Sequence, residues 1–334
     1  MIKHANISIF VPHLGCNNRC SFCNQNSITG QMVQPTADDV INSVIKAVKS
    51  KNYNADNTEI AFFGGSFTAI DRGYMISLLK TAYSFVEKGL VKGIRISTRP
   101  DAINEEILDI LKLYGVTAIE LGAQSMVDSV LSANFRGHTA EDVVQSANLI
   151  KSKGFELGLQ MMTGLYKSSV EYDMYTAKSI VNLHPATVRV YPTIILKNTL
   201  LAKYYGEGKY PVQKLEDAVK ECAELLMLFL ENNINVIRLG LHTINEEDYV
   251  AGPWHQSFKD LCDGEILLNK AKNILTKLQK GKFVLFVNSR CLSSMIGQKK
   301  TNISKLKLLG YDCEVKCDNT LKEYEVKAEK AVES

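Results

Sequence analysis

The sequence predicts an α/β fold, a partial (βα)6-type TIM barrel followed by a small C-terminal α+β module. Short apolar runs alternate with amphipathic helical runs up to about residue 250, a pattern typical of parallel βαβ units. Beyond that point the alternation gives way to mixed short elements. We therefore predict a barrel over residues 1–250 and a module over residues 251–334.

Apolar periodicity predicts each element of the barrel in turn. The predicted strands are residues 7–12, 59–63, 93–97, 118–121, 156–161, 187–192 and 236–241. The predicted helices are residues 37–50, 73–88, 105–114, 140–152, 170–182 and 215–231. In the first helix, Val40, Val44 and Val48 repeat at helical spacing after Thr36, a residue type that caps helices. Polar residues follow several strands, at the carboxyl ends where barrels place their chemistry.

Composition excludes several classes of protein. Hydrophobic residues make up 46% of the chain, but no apolar run approaches the roughly 20 residues of a membrane span. The N-terminus has no pattern of a signal peptide. A net charge of +3 is too small for strong non-specific binding of nucleic acid. We expect a cytoplasmic protein without a membrane partner, whose eight cysteines stay reduced.

Three cysteines lie together in a loop predicted over residues 13–24. Cys16, Cys20 and Cys23 have the spacing Cys-x3-Cys-x2-Cys. A [4Fe–4S] cluster normally takes four cysteine ligands, so three would leave one iron open to an outside ligand. A zinc site is the main alternative, although zinc sites usually pair two such units or add histidine. The remaining interpretation is three unrelated buried cysteines.

The ordered motifs of the chain resemble the radical SAM superfamily and, within it, the Elp3-like branch. The resemblance covers most of residues 5–260 and is carried by PHLGCNNRCSFCNQ, IAFFGGSFTAI, ISTRPDAI, IELGAQSMVDSVL, RGHT and VIRLGLH. It implies that Cys16, Cys20 and Cys23 hold a [4Fe–4S] cluster in an N-terminal Fe–S loop. It also implies S-adenosylmethionine (SAM) as cofactor, an electron donor as partner, and a 5′-deoxyadenosyl radical that abstracts hydrogen from the substrate.

Cofactor contacts are predicted at the ends of the strands. The resemblance places Phe22 against the adenine of SAM, and Gly64 and Gly65 around its amino group, although such a pair alone is often only a turn. Polar residues on later strands are further candidates: Ser97, Arg99, Gln124, Gln160 and Arg189. For Arg99, which would suit a carboxylate, a structural ion pair is the alternative.

The predicted substrate contacts are Glu120, Tyr191, His242 and Trp254. Glu120 lies in an apolar strand, where an unpaired carboxylate is costly, so we expect it to face a polar barrel interior. A lone histidine such as His242 is more often structural. Trp254 either stacks on a heterocyclic substrate or plugs the bottom of the barrel.

The substrate itself is predicted from what the sequence lacks. Elp3 proteins carry an acetyltransferase domain after the radical SAM part, for which this sequence has no room. Residues 287–306 resemble an RNA-binding KH loop in which Lys300 replaces the second glycine. These features favour a small modified nucleobase over tRNA, and the short architecture resembles queuine lyases, which release 7-aminomethyl-7-deazaguanine from queuine by breaking a C–N bond. Elp3-like tRNA modification and a non-catalytic Fe–S protein are the alternatives.

Overall fold

The chain was analysed as a computed structural model, which describes residues 4–12, 20–24, 33–241 and 244–331. Its centre is a parallel sheet of seven strands that curls into a partial barrel, with strand order β1-β2-β3-β4-β5-β6-β8. These strands are β1 (Ala5–Val11), β2 (Thr58–Gly64), β3 (Gly93–Thr98), β4 (Val116–Gln124), β5 (Glu156–Thr163), β6 (Thr187–Pro192) and β8 (Asn235–Leu239). A short hairpin of β7 (Ile195–Leu196) and β9 (Tyr249–Ala251) lies beside them.

Helices connect successive strands. They are α1 (Ala37–Val48), α2 (Arg72–Glu87), α3 (Glu105–Leu113), α4 (Asp128–Ala133), α5 (Ala140–Ser152), α6 (Val170–Asn182), α7 (Leu200–Gly206) and α8 (Leu215–Glu231). Thr36 and Thr139 begin α1 and α5 with reciprocal capping boxes to Asp39 and Asp142, and each cap contributes about 1 kcal/mol. No helix in the described ranges is long and apolar enough to cross a membrane.

The two faces of the sheet differ in character. Apolar residues such as Ile94, Ile119 and Leu159 pack against the helices in the main core. Alternate residues, including Arg95 and Glu120, form ion pairs with one another on the opposite face. Because side chains alternate along a strand, this face lines the barrel interior, which is therefore polar.

The C-terminal module has a three-stranded sheet of order β11-β10-β12. Its elements are α9 (Phe258–Leu275), β10 (Gly281–Val287), α10 (Leu292–Ile296), α11 (Thr301–Leu308), β11 (Tyr311–Cys317) and β12 (Val326–Lys330). Strand β10 pairs in parallel with β11 and antiparallel with β12. Its apolar residues join the same core as the barrel, so the division at residue 250 stays a prediction.

The predicted fold class is confirmed, and the seven predicted barrel strands all form. Helix α9 begins at Phe258, where the buried Phe258 and Cys262 give its first turns an apolar face. Helices α4 and α7 and the β7–β9 hairpin had not been predicted, since elements this short leave little periodicity in the sequence.

Candidate functional site

The segment that carries Cys20 and Cys23 is docked at the carboxyl end of the barrel through Ser21. The Ser21 hydroxyl donates to Asn134 Oδ1 at 2.6 Å, and its amide donates to the Asn134 carbonyl at 3.1 Å. Its carbonyl accepts from the Leu201 amide at 2.8 Å. Because Ser21 is fully buried, these bonds fix the backbone between the two cysteines. Cys16 lies outside the described residues.

The side chain of Arg136 reaches the same segment. Its Nη1 donates to Cys20 Sγ at 3.1 Å, and its Nη2 donates to the Gly122 carbonyl on β4 at 2.6 Å. Arg136 is 7% exposed. Burial, and then the neighbouring Arg136 charge, lower the pKa of His138 to about 4, so that this ring is neutral. The sequence had given no role to Arg136, because its partner Cys20 is 116 residues away.

The end of β2 presents bare backbone to the barrel. Gly64 has a φ of 113°, and a Cβ there would lie 2.8 Å from the Val11 carbonyl oxygen. The Gly65 amide donates to that same oxygen at 2.8 Å. Ser66 then joins β2 to β3, because its hydroxyl lies 2.8 Å from Thr98 Oγ1. The close approach of β1 therefore requires glycine at position 64.

Gln124 ends β4 in a strained conformation, with a φ of 67°. Its amide lies over Gly122, where a Cβ would come within 2.9 Å of Gln124 Nε2. Buried Gln124 Oε1 and Arg136 Nε have no hydrogen-bond partner among the residues that the structure describes. A buried polar atom without a partner is costly, and strain of this kind is typical of ligand sites. These unpartnered atoms fit a polar cofactor such as SAM at the carboxyl end of β4, where Arg136 also reaches Cys20.

Glu120 is the centre of a charge network inside the barrel. Arg189 binds its carboxylate with both Nε and Nη2, at 2.7 and 3.0 Å. Gln160 Nε2 donates to it at 3.2 Å and also lies 3.5 Å from Ser97 Oγ. On the neighbouring strand β3, Arg95 Nη1 lies 3.5 Å from Glu120 Oε1, and Arg95 Nε pairs with Glu59 Oε2 at 2.9 Å. Glu120 therefore faces the interior, but its oxygens are already committed to arginine.

Two arginines, Arg189 on β6 and Arg238 on β8, place positive charge in the interior of the barrel. Burial alone would lower the pKa of Arg189, but the charge and hydrogen bonds of Glu120 raise it above its ordinary value. The guanidinium also lies 5.2 Å from the centre of the Phe63 ring. Burial raises the pKa of the Tyr191 phenol and lowers that of Arg238. This region thus offers donors to a planar, electron-rich ligand.

The other predicted contacts lie in different surroundings. Arg99 forms a bidentate pair with Asp101, at 2.8 and 2.7 Å, which matches the structural alternative. Phe22 packs in an apolar cluster with Tyr166 and Tyr204. Trp254 lies 5.9 Å from Tyr249, between ring centres, and packs against the cluster at β7. His242 lies outside the described residues, so its role stays a prediction.

The described residues alone do not complete a metal site. Within them, no group of three His, Cys, Asp or Glu side chains is close enough to hold a metal. Neither Cys20 nor Cys23 forms a disulfide within the described residues, and the Cys23 amide donates to the Cys20 carbonyl at 3.1 Å in a tight turn. The three-cysteine ligand set stays a prediction that needs Cys16.

Two protein families match the chain. Residues 10–178 match the radical SAM superfamily, and residues 185–267 match a radical SAM C-terminal domain. The chain is 23% identical over 238 residues to a tRNA uridine(34) acetyltransferase of Dehalococcoides mccartyi (strain CBDB1), covering 61% of this chain and 52% of the relative. It is 30% identical over 204 residues to human Elongator complex protein 3, covering 55% of this chain and 37% of the relative.

Solved structures share the fold. Elp3 of the archaeon Methanocaldococcus infernus, with residues 1–46 deleted, matches with a TM-score of 0.63 at 19% identity, over 84% of this chain and 65% of that one. Streptococcus suis SuiB bound to SAM matches with a TM-score of 0.51 at 15% identity, over 72% of this chain and 52% of that one. At these identities the matches support the partial barrel, not a shared substrate.

Proposed function

We propose that this chain, which belongs to the radical SAM superfamily, is an Elp3-like enzyme that modifies a nucleobase of tRNA. Its cofactors are a [4Fe–4S] cluster and SAM, which together supply a 5′-deoxyadenosyl radical for hydrogen abstraction. The observation that carries the proposal is the bridge that Arg136 makes between Cys20 and the Gly122 carbonyl, beside Gln124, whose buried Oε1 has no hydrogen-bond partner among the described residues.

Each group has a role in holding the cofactors. Cys16, Cys20 and Cys23 bind the cluster, and Ser21 fixes the loop between the last two. The backbone at Gly64 and Gly65 approaches SAM closely because no side chain intervenes. Gln124 Oε1 accepts a hydrogen bond from the cofactor, which would compensate for the cost of its burial.

Two observations favour tRNA as the substrate. The curated relatives are named as tRNA uridine(34) acetyltransferases and Elongator complex protein 3. Basic charge is concentrated in the C-terminal module, since residues 276–331 hold twelve Lys or Arg and six Asp or Glu. Clustered basic residues attract the phosphate backbone. The chain spans about half or less of these relatives, so their acetyl transfer is not part of the proposal.

A second candidate is queuine lyase, which acts on a free base. Arg238 favours it, because its buried Nε has no hydrogen-bond partner among the described residues and the side chain lies near Arg189 and Tyr191. Arginine donates well to a guanine carbonyl edge, and Phe63 or Trp254 offers a stacking surface. In this case the substrate is a small molecule that lies wholly inside the barrel.

One assay separates the two candidates. The protein is purified without oxygen, its cluster is reconstituted, and it is incubated with SAM and dithionite plus total tRNA, queuine or no substrate. We expect 5′-deoxyadenosine, measured by mass spectrometry, to rise with tRNA alone. A rise with queuine alone would support the second candidate and contradict the first.

Cysteine variants control for the cofactor. Cys20→Ala should abolish 5′-deoxyadenosine formation, whereas Cys317→Ala, which changes an exposed cysteine on β11, should retain it. The radical mechanism would be overturned if, with every substrate tested, wild type formed no more 5′-deoxyadenosine than Cys20→Ala.

A further inference from the structure

We propose that Arg136 is a positioning residue that raises the reduction potential of the cluster through its hydrogen bond to Cys20. The inference rests on the proposed binding of the cluster by Cys20. It adds a residue to that site whose effect is electrostatic and is distinct from the docking of the loop.

The geometry around Arg136 fixes its guanidinium in place. Nη2 is held by the Gly122 carbonyl at 2.6 Å, which leaves Nη1 directed at Cys20 Sγ at 3.1 Å. The backbone on either side is constrained as well, because Phe135 and Gly137 have φ values of 56° and 72°. The Arg136 amide donates to the Leu131 carbonyl at 3.0 Å. The donor is therefore preorganised, not a surface side chain that happens to reach the sulfur.

The charge of Arg136 is also uncompensated in the part of the chain that the structure describes. The two other fully buried arginines of the described residues each have a carboxylate partner: Arg95 pairs with Glu59 and Arg99 with Asp101. No described carboxylate forms an ion pair with Arg136, although its side chain is buried. An unpaired buried cation is costly, so the missing counter-charge points to an anion at Cys20.

A thiolate-bound cluster supplies that anion. The cluster becomes more negative when it is reduced, so a buried cation and an N–H···S bond stabilise the reduced state more than the oxidised one. Hydrogen bonds to cluster sulfurs are among the factors that set the potential of these clusters. Arg136 is therefore expected to make reduction easier, which is the step that precedes SAM cleavage.

Docking and electrostatics are separable because they depend on adjacent but different residues. Asn134 binds Ser21 through its side chain and its backbone, and its Nδ2 donates to the Tyr166 carbonyl at 2.9 Å. Asn134 carries no charge and does not reach a cysteine sulfur in any hydrogen bond of the described residues. Asn134→Ala therefore loosens the loop while leaving the Arg136 donor in place.

The test is a redox titration of the reconstituted protein followed by electron paramagnetic resonance of the reduced cluster. Only loaded protein gives the signal, so a lower cluster content does not distort the midpoint. We expect Arg136→Gln to shift the midpoint to a more negative potential. Arg136→Lys, which keeps the charge but not the two-point geometry, should lie between Arg136→Gln and wild type. Asn134→Ala should lower cluster content with the midpoint unchanged.

Three results would overturn the inference. They are an unchanged midpoint in Arg136→Gln, an equal shift in Asn134→Ala, or loss of the cluster from both Arg136 variants, which would make the residue a requirement for loading only. If Arg136→Gln alone fails to load, Arg136→Lys decides, and a midpoint equal to wild type contradicts the proposal. Cluster binding that survives Cys20→Ala would instead contradict the proposed ligand set.

Discussion

Gly64 illustrates how one missing side chain shapes the site. Its φ of 113° lies far from the range that other residues adopt easily. The Val11 carbonyl, which bonds to the Gly65 amide, occupies the space that a Cβ would need. Two constraints therefore require glycine at this position: the backbone conformation and the close packing of β1 against β2.

We expect Gly64→Ala to destabilise the protein by about 1–3 kcal/mol, because it adds backbone strain and a clash. The distorted β2 end should also lower SAM cleavage by at least about tenfold, since 1.4 kcal/mol at the site is a factor of ten. Urea unfolding and 5′-deoxyadenosine formation measure the two effects.

Gly89→Ala is the matched control for strain alone. Gly89 has a φ of 65°, and nothing lies within 4 Å of its would-be Cβ. We expect it to cost about 1 kcal/mol with no loss of SAM cleavage per folded molecule. Equal losses of SAM cleavage in both variants would argue against a specific role of the Gly64 backbone in binding SAM.

At the residue scale, site residues could be predicted where they belong to a motif or end a strand. The roles of residues that act through contacts distant in sequence could not. Gly64 and Gln124 directly follow or end apolar runs, so their place at the carboxyl edge of the sheet was predictable. Arg136 begins the RGHT motif, but its contact with Cys20 and that of Asn134 with Ser21 each span more than a hundred residues, and no local pattern encodes such contacts. The pairing of Arg99 with Asp101 is local and was foreseen as one alternative.

Between helices α6 and α8, two carboxyl groups share a buried site. Burial and then the charge of the neighbouring Asp173, with a hydrogen bond between the two carboxyl groups, together raise the pKa of Glu221 to about 8. Gln213 Nε2 donates to Glu221 at 2.6 Å. Asp173 also accepts from the Gly164 amide at 2.7 Å, which ties the pair to the end of β5. The pair therefore holds one proton that helps to join two helices to the sheet.

This proton makes stability depend on pH. The folded pKa of Glu221 is raised above its ordinary value of 4.5, so the folded state binds more protons between pH 4.5 and about 8. Stability should therefore fall as pH rises through this window, by up to about 1.4 kcal/mol per pH unit. Glu221→Gln keeps the shape without this titration, and should make the slope clearly shallower in urea unfolding measured from pH 5 to 9, while the pKa of Asp173, which burial also raises, accounts for what remains.

Glu216→Gln is the matched control, because Glu216 is exposed on the first turn of the same helix. It should leave the slope as in wild type. A slope in Glu221→Gln as steep as that of wild type would show that the loss of stability arises elsewhere.

The loop between α10 and α11 presents lysine side chains from an unusual backbone. Gly297, Lys299 and Lys300 have φ values of 77°, 51° and 62°. Lys300, at the position of the second glycine of a KH loop, thus adopts a left-handed conformation that glycine reaches more easily. Both lysines are exposed, so they add positive charge where such a loop would approach phosphates.

We expect the double variant Lys299→Glu/Lys300→Glu to weaken tRNA binding about tenfold or more at low salt, and to reduce the salt dependence. Filter binding over a range of salt concentrations measures both. Lys46→Glu/Lys49→Glu makes the same change of charge at exposed positions around the end of α1, near the opposite edge of the sheet. Equal weakening by both pairs would indicate only a long-range effect of net charge.

The bounds of helices could be predicted from the sequence where one face of the helix is buried at regular intervals. The helices α5, α6 and α8 begin and end where apolar periodicity begins and ends, since one face of each is buried along its length. The hairpin β7–β9 was missed because its strands are short and are held by contacts that form only after the barrel closes. The polar interior was foreseen from Glu120, but its saturation by Arg189 was not, because partners across a sheet are set by register.

Over the whole molecule, the barrel and the C-terminal module share one core. Helix α9 packs on α8 through residues such as Cys262 and Leu268, which are fully buried. Asn302 on α11 donates to the Gly264 carbonyl at 2.9 Å and to the Ser294 carbonyl at 3.1 Å, which ties α11 to α9 and α10. A change in the composition pattern near residue 250 therefore does not by itself mark a break in packing.

A shared core predicts that barrel and module unfold together. Leu268→Ala removes a fully buried side chain from α9 and should cost about 2–5 kcal/mol. In hydrogen exchange, the slowest amides of β4 and of β10 should then speed up by the same factor, about thirtyfold or more for 2 kcal/mol. Leu278→Ala, at a position 42% exposed, should change neither set appreciably. Acceleration confined to β10 would instead mean that the module opens independently, and that the boundary expected at residue 250 separates two cooperative units.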